Sequence, residues 1–176
     1  MNQQIIISGV GGQGVLFITR LLAQACMEQG RHVLTSETHG MAQRGGTVIS
    51  HLKVGTFSSP MIRPGKADLL IALKPETYMQ HKGFLTSAGK AIVNVPSPSP
   101  GFEECFCLNA DVLPGTHEKK APVNLFMLGG ALAVFPICPL DLLKKQILTK
   151  LKRLDATAKE TAIKAVDLGF ASVKEQ

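Results

Sequence analysis

The chain has 176 residues, and 45% of them are hydrophobic, which suits one domain with one buried core at roughly 150 residues per domain. Nineteen Lys and Arg against 13 Asp and Glu give a formal net charge of +6, and only 18% of residues are charged, below the roughly 25% of typical soluble domains, so a disordered chain is excluded. No run reaches the roughly 18 apolar residues of a membrane span, and Met1-Asn2-Gln3-Gln4 enters Ile5-Ile6-Ile7 with no basic leader or small-residue cleavage site, so a cytoplasmic chain is expected.

Ile5-Ile6-Ile7 is a short apolar run that ends in Gly9-Val10-Gly11-Gly12-Gln13-Gly14, after which Val15, Ile18, Leu22 and Ala25 recur at helical spacing. The pattern predicts a strand, a glycine turn and a helix closed by Gly30. Residues 32–36 read as a second strand that leads into residues 37–46, a polar, glycine-rich segment with no clean period. Residues 47–54 alternate, with Val48, Leu52 and Val54 on one side and Thr47, His51 and Lys53 on the other, as a half-buried strand would. Residues 68–73 and 91–95 are continuous apolar runs, expected of strands covered on both faces. Between residues 96 and 101 three prolines remove ladder donors, so that stretch is a loop and not a central strand. The last third is helical: an apolar helix over residues 123–135 interrupted by Gly129-Gly130, an amphipathic helix marked by Leu140, Leu143, Ile147, Leu151 and Leu154, and a final helix capped by Asp155 or Thr157.

Gly9, Gly11 and Gly14 fit G-x-G-x-x-G between a strand and a helix, the context that motif requires. Glycines let the backbone approach a phosphate without Cβ clashes, and free N–H groups at the helix start supply positive potential. A nicotinamide dinucleotide would need an acid closing the second strand, and Glu37 stands nearly in place. Downstream, His39, Gln43, Arg44 and Gly45 lie among further glycines; Arg44 can grip phosphate or carboxylate through two bonds, and His39 can titrate near neutral pH. His51 reads as structural. Cys26, Cys105, Cys107 and Cys138 match no zinc or iron–sulfur spacing, although Cys105-x-Cys107 points two thiols to one face of an extended segment. With no Trp and only Tyr78, base stacking on single-stranded nucleic acid is poorly supported. Lys144, Lys145, Lys150, Lys152 and Arg153 gather on one helix, as a docking face or as a merely solvated one.

The glycine turn at residues 9–15, the segment Ser36-Glu37-Thr38-His39-Gly40-Met41-Ala42-Gln43-Arg44-Gly45-Gly46 and the strand at residues 67–73, in that order, resemble the gamma-type subunit of the 2-oxoacid:ferredoxin oxidoreductases, most of all the small subunit of the indolepyruvate type. Residues 122–129 continue the likeness. It implies an α/β, Rossmann-like single domain over residues 1–176, a mostly parallel sheet with flanking helices, that binds no cofactor by itself. A larger partner subunit would carry thiamine diphosphate, magnesium and the iron–sulfur clusters, and electrons would leave to ferredoxin. The resemblance also implies that this domain helps to form a coenzyme A site: Gly11, Gly12, Gln13 and Gly14 would approach the pyrophosphate, Gln43 and Arg44 with their glycine neighbours would contact phosphates or the reacting end, and Asn124 would line the same cleft. Lys74 stands where an acidic residue is common in that family. A homodimer within the complex stays open, and neither nucleic acid nor membrane is expected as a partner. Two rival readings remain: a free-standing NAD(P)-dependent dehydrogenase using Glu37, and a non-enzymatic adaptor using the basic helix.

Overall fold

The elements follow in the order β1 (Gln3–Val10), α1 (Val15–Glu28), β2 (Val33–His39), β3 (Thr47–Val54), β4 (Ala67–Ala72), α2 (Pro75–His81), β5 (Leu85–Asn94), β6 (Phe106–Leu108), α3 (Val123–Val134), α4 (Leu140–Lys150) and α5 (Ala156–Lys174). They are those of a computed structural model that describes residues 2–39, 46–96, 100–113 and 122–174. The strands form one sheet in the order β2-β3-β1-β4-β5-β6. β1, β4, β5 and β6 pair in parallel, whereas β3 is antiparallel to both of its neighbours, β1 and β2. The sheet is therefore mixed, with β3 alone reversed. Direct return from β2 to β3 produces that reversal, because a parallel neighbour would need a helical crossover.

Two apolar layers cover the sheet. On one face Ile5, Ile7, Leu52, Leu69, Ile71 and Ile92 meet the buried residues of α1, α3, α4 and α5. On the other, Ile6, Ile49, Leu70 and Val93 meet Tyr78 of α2. The helices after β1 and after β4 thus lie on opposite faces, as right-handed crossovers that run in opposite directions along a sheet must place them. The order of strands reverses between β1 and β4, and a crevice opens outside the carboxyl ends of those two strands.

α3 is buried nearly all round and runs unbroken through Gly129 and Gly130. The expected interruption is absent because these glycines serve packing. A Cβ on Gly129 would overlap the Val166 carbonyl, and one on Gly169 would overlap the Phe126 carbonyl, so α3 and α5 touch backbone to backbone. Lys90 Nζ donates to the Val134 carbonyl at 3.0 Å and closes the C-terminal end of α3. Of the two candidate caps for α5, Asp155 is used: its Oδ1 accepts from the Ala158 N–H at 2.7 Å, while Glu160 pairs with Lys164 at 2.7 Å.

Four elements depart from the sequence pattern. β3 is buried on both faces: His51 lies edge-on to Phe84 with ring centroids 5.7 Å apart, and the Lys53 ammonium sits 5.0 Å over the Phe57 ring. The polar alternation therefore marks partnered side chains and not a wet face. α2 begins at Pro75, where a proline at the first helical position costs no hydrogen bond, so a helix follows directly on the bend at Leu73 and Lys74 after β4. β5 begins at Leu85, and α4 ends at Lys150.

His51 accepts the Ile62 N–H on Nδ1 at 3.2 Å. Burial, with His81 and Lys53 nearby, lowers its pKa below the ordinary 6.5, and burial lowers that of His81 as well. A histidine whose folded pKa is depressed contributes stability fully above its unfolded pKa and loses it as pH falls toward the folded one. The urea midpoint is expected to hold above about pH 6.5 and to fall as the pH drops below it, less steeply in His51→Gln, whose amide oxygen accepts the same N–H without titrating.

Candidate functional site

β1 delivers its last residues into a turn at the crevice between β1 and β4. Gly12 and Gly14 adopt φ of 91° and 78°, in the left-handed region where a side chain is strained. Gly14 stands at the N-cap of α1 with no side-chain cap, and no acidic residue occupies the first turn. The first bond within the helix runs from the Ile18 N–H to the Gly14 carbonyl at 3.2 Å, so the N–H groups of Val15, Leu16 and Phe17 face outward by helix geometry. Their potential attracts an anion.

Asn124, in the first turn of α3, presses its amide Nδ2 against the Cα of Gly14, so that any Cβ there would overlap it. Its Oδ1 accepts its neighbour's N–H, that of Leu125, at 2.9 Å. The structure thus brings Gly9, Gly11, Gly12, Gln13, Gly14 and Asn124 together, as the sequence predicts.

Gln13, however, is turned inward. Its Oε1 accepts the Val10 N–H at 2.8 Å and its Nε2 donates to the Leu73 carbonyl at 3.4 Å. Gly9 has no room for a Cβ, which would lie 2.9 Å from Gln13 Oε1 and from Val15 Cγ2. The Asn94 amide donates to the same Leu73 carbonyl at 3.5 Å. Gln13 is a brace that ties the turn to the end of β4, a positioning residue more than a ligand contact. Gln13→Leu is expected to cost about 1–2 kcal/mol by orphaning the Val10 N–H, read as a lowered denaturation midpoint with the secondary structure retained.

A cavity of about 620 Å³ opens over the turn, lined by Val10, Gly11, Gly12, Gly14, Phe17 and Val48 together with two cations, Arg20 and Lys150. Both are exposed. A second hollow of about 470 Å³ adjoins it across Phe17 and is mostly apolar, with Asn124, Asp155 and Thr161 on its wall. Sequence reasoning does not single out Arg20. A signal for it exists: it is the single basic residue of α1, about one and two-thirds turns beyond Gly14. Lys150 belongs to the basic helix, but its neighbours are engaged elsewhere. Lys144 pairs with Asp167 at 2.5 Å, and Lys145 pairs with Glu28. That half of the basic face therefore braces α4 against α5 and α1.

Gln43, Arg44 and Gly45 lie outside the described residues, and His39 closes β2 as backbone only. The segment they belong to rejoins the site at Gly46, whose carbonyl accepts the Gly11 N–H at 3.0 Å. Glu37 sits on β2, with β3 between it and β1. Two strand spacings, about 10 Å, separate it from the strand that carries the turn, and the dinucleotide reading loses its ribose acid. Among the described residues no three His, Cys, Asp or Glu side chains converge as metal ligands, and no helix is long and apolar enough to cross a membrane.

A crevice at the strand reversal, a glycine turn feeding an uncapped helix and an asparagine closing it from α3 are set in an α/β domain with one mixed six-stranded sheet. Residues 4–172 match the pyruvate ferredoxin/flavodoxin oxidoreductase family, and the chain belongs to that family. The indolepyruvate oxidoreductase subunit IorB of Pyrococcus horikoshii is 30% identical over 97% of this chain and 96% of its own length. The IorB subunit of Archaeoglobus fulgidus is 44% identical over a shorter stretch, 53% of this chain and 47% of that protein. Among solved structures, the pyruvate oxidoreductase subunit PORC of Thermotoga maritima superposes with a TM-score of 0.77 at 21% identity, covering 97% of this chain and 96% of that one. The 2-oxoglutarate:ferredoxin oxidoreductase of Magnetococcus marinus, solved with 2-oxoglutarate, coenzyme A and succinyl-CoA bound, gives 0.80 at 22% identity over 99% of this chain and 31% of that longer one. At these identities the two structures establish the shared fold.

Proposed function

We propose that the chain is the small subunit of a cytoplasmic, thiamine-dependent 2-oxoacid:ferredoxin oxidoreductase of the indolepyruvate type, and that its glycine-turn crevice holds the phosphates of coenzyme A. The observation that carries the site is the uncapped start of α1, open to the cavity, with Arg20 and Lys150 at its mouth. An anion there meets outward N–H groups at one end and two cations at the other, which is what a diphosphate needs. The family membership and the IorB relatives support the reaction class.

In this reading the partner subunit holds thiamine diphosphate, magnesium and the iron–sulfur clusters, which supply the decarboxylation and the electron relay to ferredoxin. The present chain binds, orients and encloses. Gly12 and Gly14 bring backbone N–H groups against the diphosphate; Asn124 fixes the wall of the turn; Gln13 holds the turn at the end of β4. The apolar hollow beyond Phe17 takes the less polar remainder of the cosubstrate and keeps water off it. Held so, the thiol end reaches the partner's reacting centre already oriented.

The test is co-expression with a candidate larger subunit that carries thiamine-binding and iron–sulfur motifs, followed by calorimetric titration of the complex and of the isolated chain with coenzyme A and with NADH. The expected result is a stable complex that binds coenzyme A and turns over an aryl 2-oxoacid, with no binding of NADH. NADH binding by the isolated chain would restore the dehydrogenase reading. Salt-sensitive binding that survives Gly12→Val would restore the adaptor.

A further inference from the structure

The proposed function makes no use of the cysteines, and two of them are placed together. Cys105 and Cys107 lie at and just before β6, the edge strand of the sheet, with their sulfurs 3.9 Å apart. Cys105 Sγ donates to the Phe102 carbonyl at 3.1 Å, and Cys107 Sγ approaches the same oxygen at 3.9 Å. One acceptor thus gathers both thiols. Neither residue is fully buried, unlike Cys26 and Cys138, which lie in the core. Residues two apart span at most about 7 Å, which meets the upper end of the separations that disulfides bridge, and an S–S bond of about 2.05 Å requires the sulfurs to close by roughly 1.9 Å. β6 has only three residues and is paired on one side alone, so it can yield that much.

We propose that Cys105 and Cys107 form an oxidisable dithiol that closes to an intrachain disulfide by exchange with a low-molecular-weight disulfide. Tyr78, stacked near Phe102 with ring centroids 5.4 Å apart, lines an adjoining open cavity of about 680 Å³ with Lys82, Glu103 and Glu104, which gives a small zwitterionic disulfide room to approach. Burial and the neighbouring Cys107 push the Cys105 thiol up to about 12, making Cys105 a poor first attacker. Cys107 therefore opens the small disulfide: its sulfur bonds to one half, and the other half leaves as a thiol with the proton. Cys105 then attacks the Cys107 sulfur and expels the second half, again as a thiol. Two protein thiols are oxidised and one small disulfide is reduced to two thiols.

The experiment exposes the full chain to glutathione disulfide, quenches with acid, alkylates and measures the mass of the peptide that carries both residues. The wild-type peptide is expected to lose two hydrogens and refuse alkylation, with release of two equivalents of glutathione per chain. Cys105→Ser is expected to release one equivalent and to retain the adduct on Cys107. Cys26 and Cys138 should alkylate only after unfolding, an internal control for the fold. Persistent mixed adducts on the wild-type peptide, or full alkylation of both residues after exposure, would overturn the proposal. The readout does not involve coenzyme A or turnover, so it stands or falls apart from the proposed function.

Discussion

Gly169→Val is expected to destabilise the protein by about 3 kcal/mol, the upper part of the usual range for overpacking a close contact. In a domain of this size that corresponds to a drop in Tm of about 6–12 °C, measured by thermal denaturation of the purified chain. A Cβ at Gly169 overlaps the Phe126 carbonyl, and one at Gly129 overlaps the Val166 carbonyl. The obstacle in both cases is backbone, which no rotamer change can move aside. Either the two helices separate, uncovering Phe126, Leu128 and Val166, or α3 shifts along its axis. A shift of α3 also moves Asn124 away from Gly14, so even a folded fraction should lose ligand affinity. A change in Tm of under about 2 °C would show that α3 and α5 do not meet through these glycines.

The second large effect is electrostatic. In the assembled complex, Arg20→Glu and Lys150→Glu are each expected to raise the Kd for coenzyme A by about 10-fold, and the double variant by about 100-fold, since a charge-assisted bond contributes roughly 1.5–3 kcal/mol and 1.4 kcal/mol is tenfold in Kd. Both side chains are exposed, so the denaturation midpoint should hardly change. Added salt should weaken binding by the wild type more than by the double variant, because screening acts on charges that face solvent. A Kd within about twofold of wild type in the double variant would place the phosphates elsewhere.

How far the sequence carries depends on whether an element is specified by its own residues or by its neighbours. The run Ile5-Ile6-Ile7, the glycines and the helical spacing after Val15 are local signals, and β1, the turn and α1 follow from them. α5 shows its amphipathic stripe, and β4 its apolar run. The placement of β3 between β1 and β2 is a pairing choice across distant residues, and no local period encodes it. That choice alone separates this sheet from a dinucleotide-binding one and removes Glu37 from the site. His51 and Lys53 mislead because their partners, Phe84 and Phe57, come from elsewhere in the chain. α2 has seven residues, too few for a period to show. At the site the glycines are legible from the motif, whereas Asn124 enters only through the resemblance. Arg20 and Lys150 are legible in neither, since only tertiary packing brings the end of α4 over the start of α1. Gln13 stands where the motif puts it, and its side-chain amide is taken up by the Val10 N–H and the Leu73 carbonyl, partners that no local pattern shows.

The hydrogen bond from the Gly11 N–H to the Gly46 carbonyl gives the hairpin between β2 and β3 a fixed anchor on the floor of the crevice. A displacement of β3 along β1 therefore drags the glycine turn with it, so the antiparallel register of the sheet and the shape of the crevice are set together.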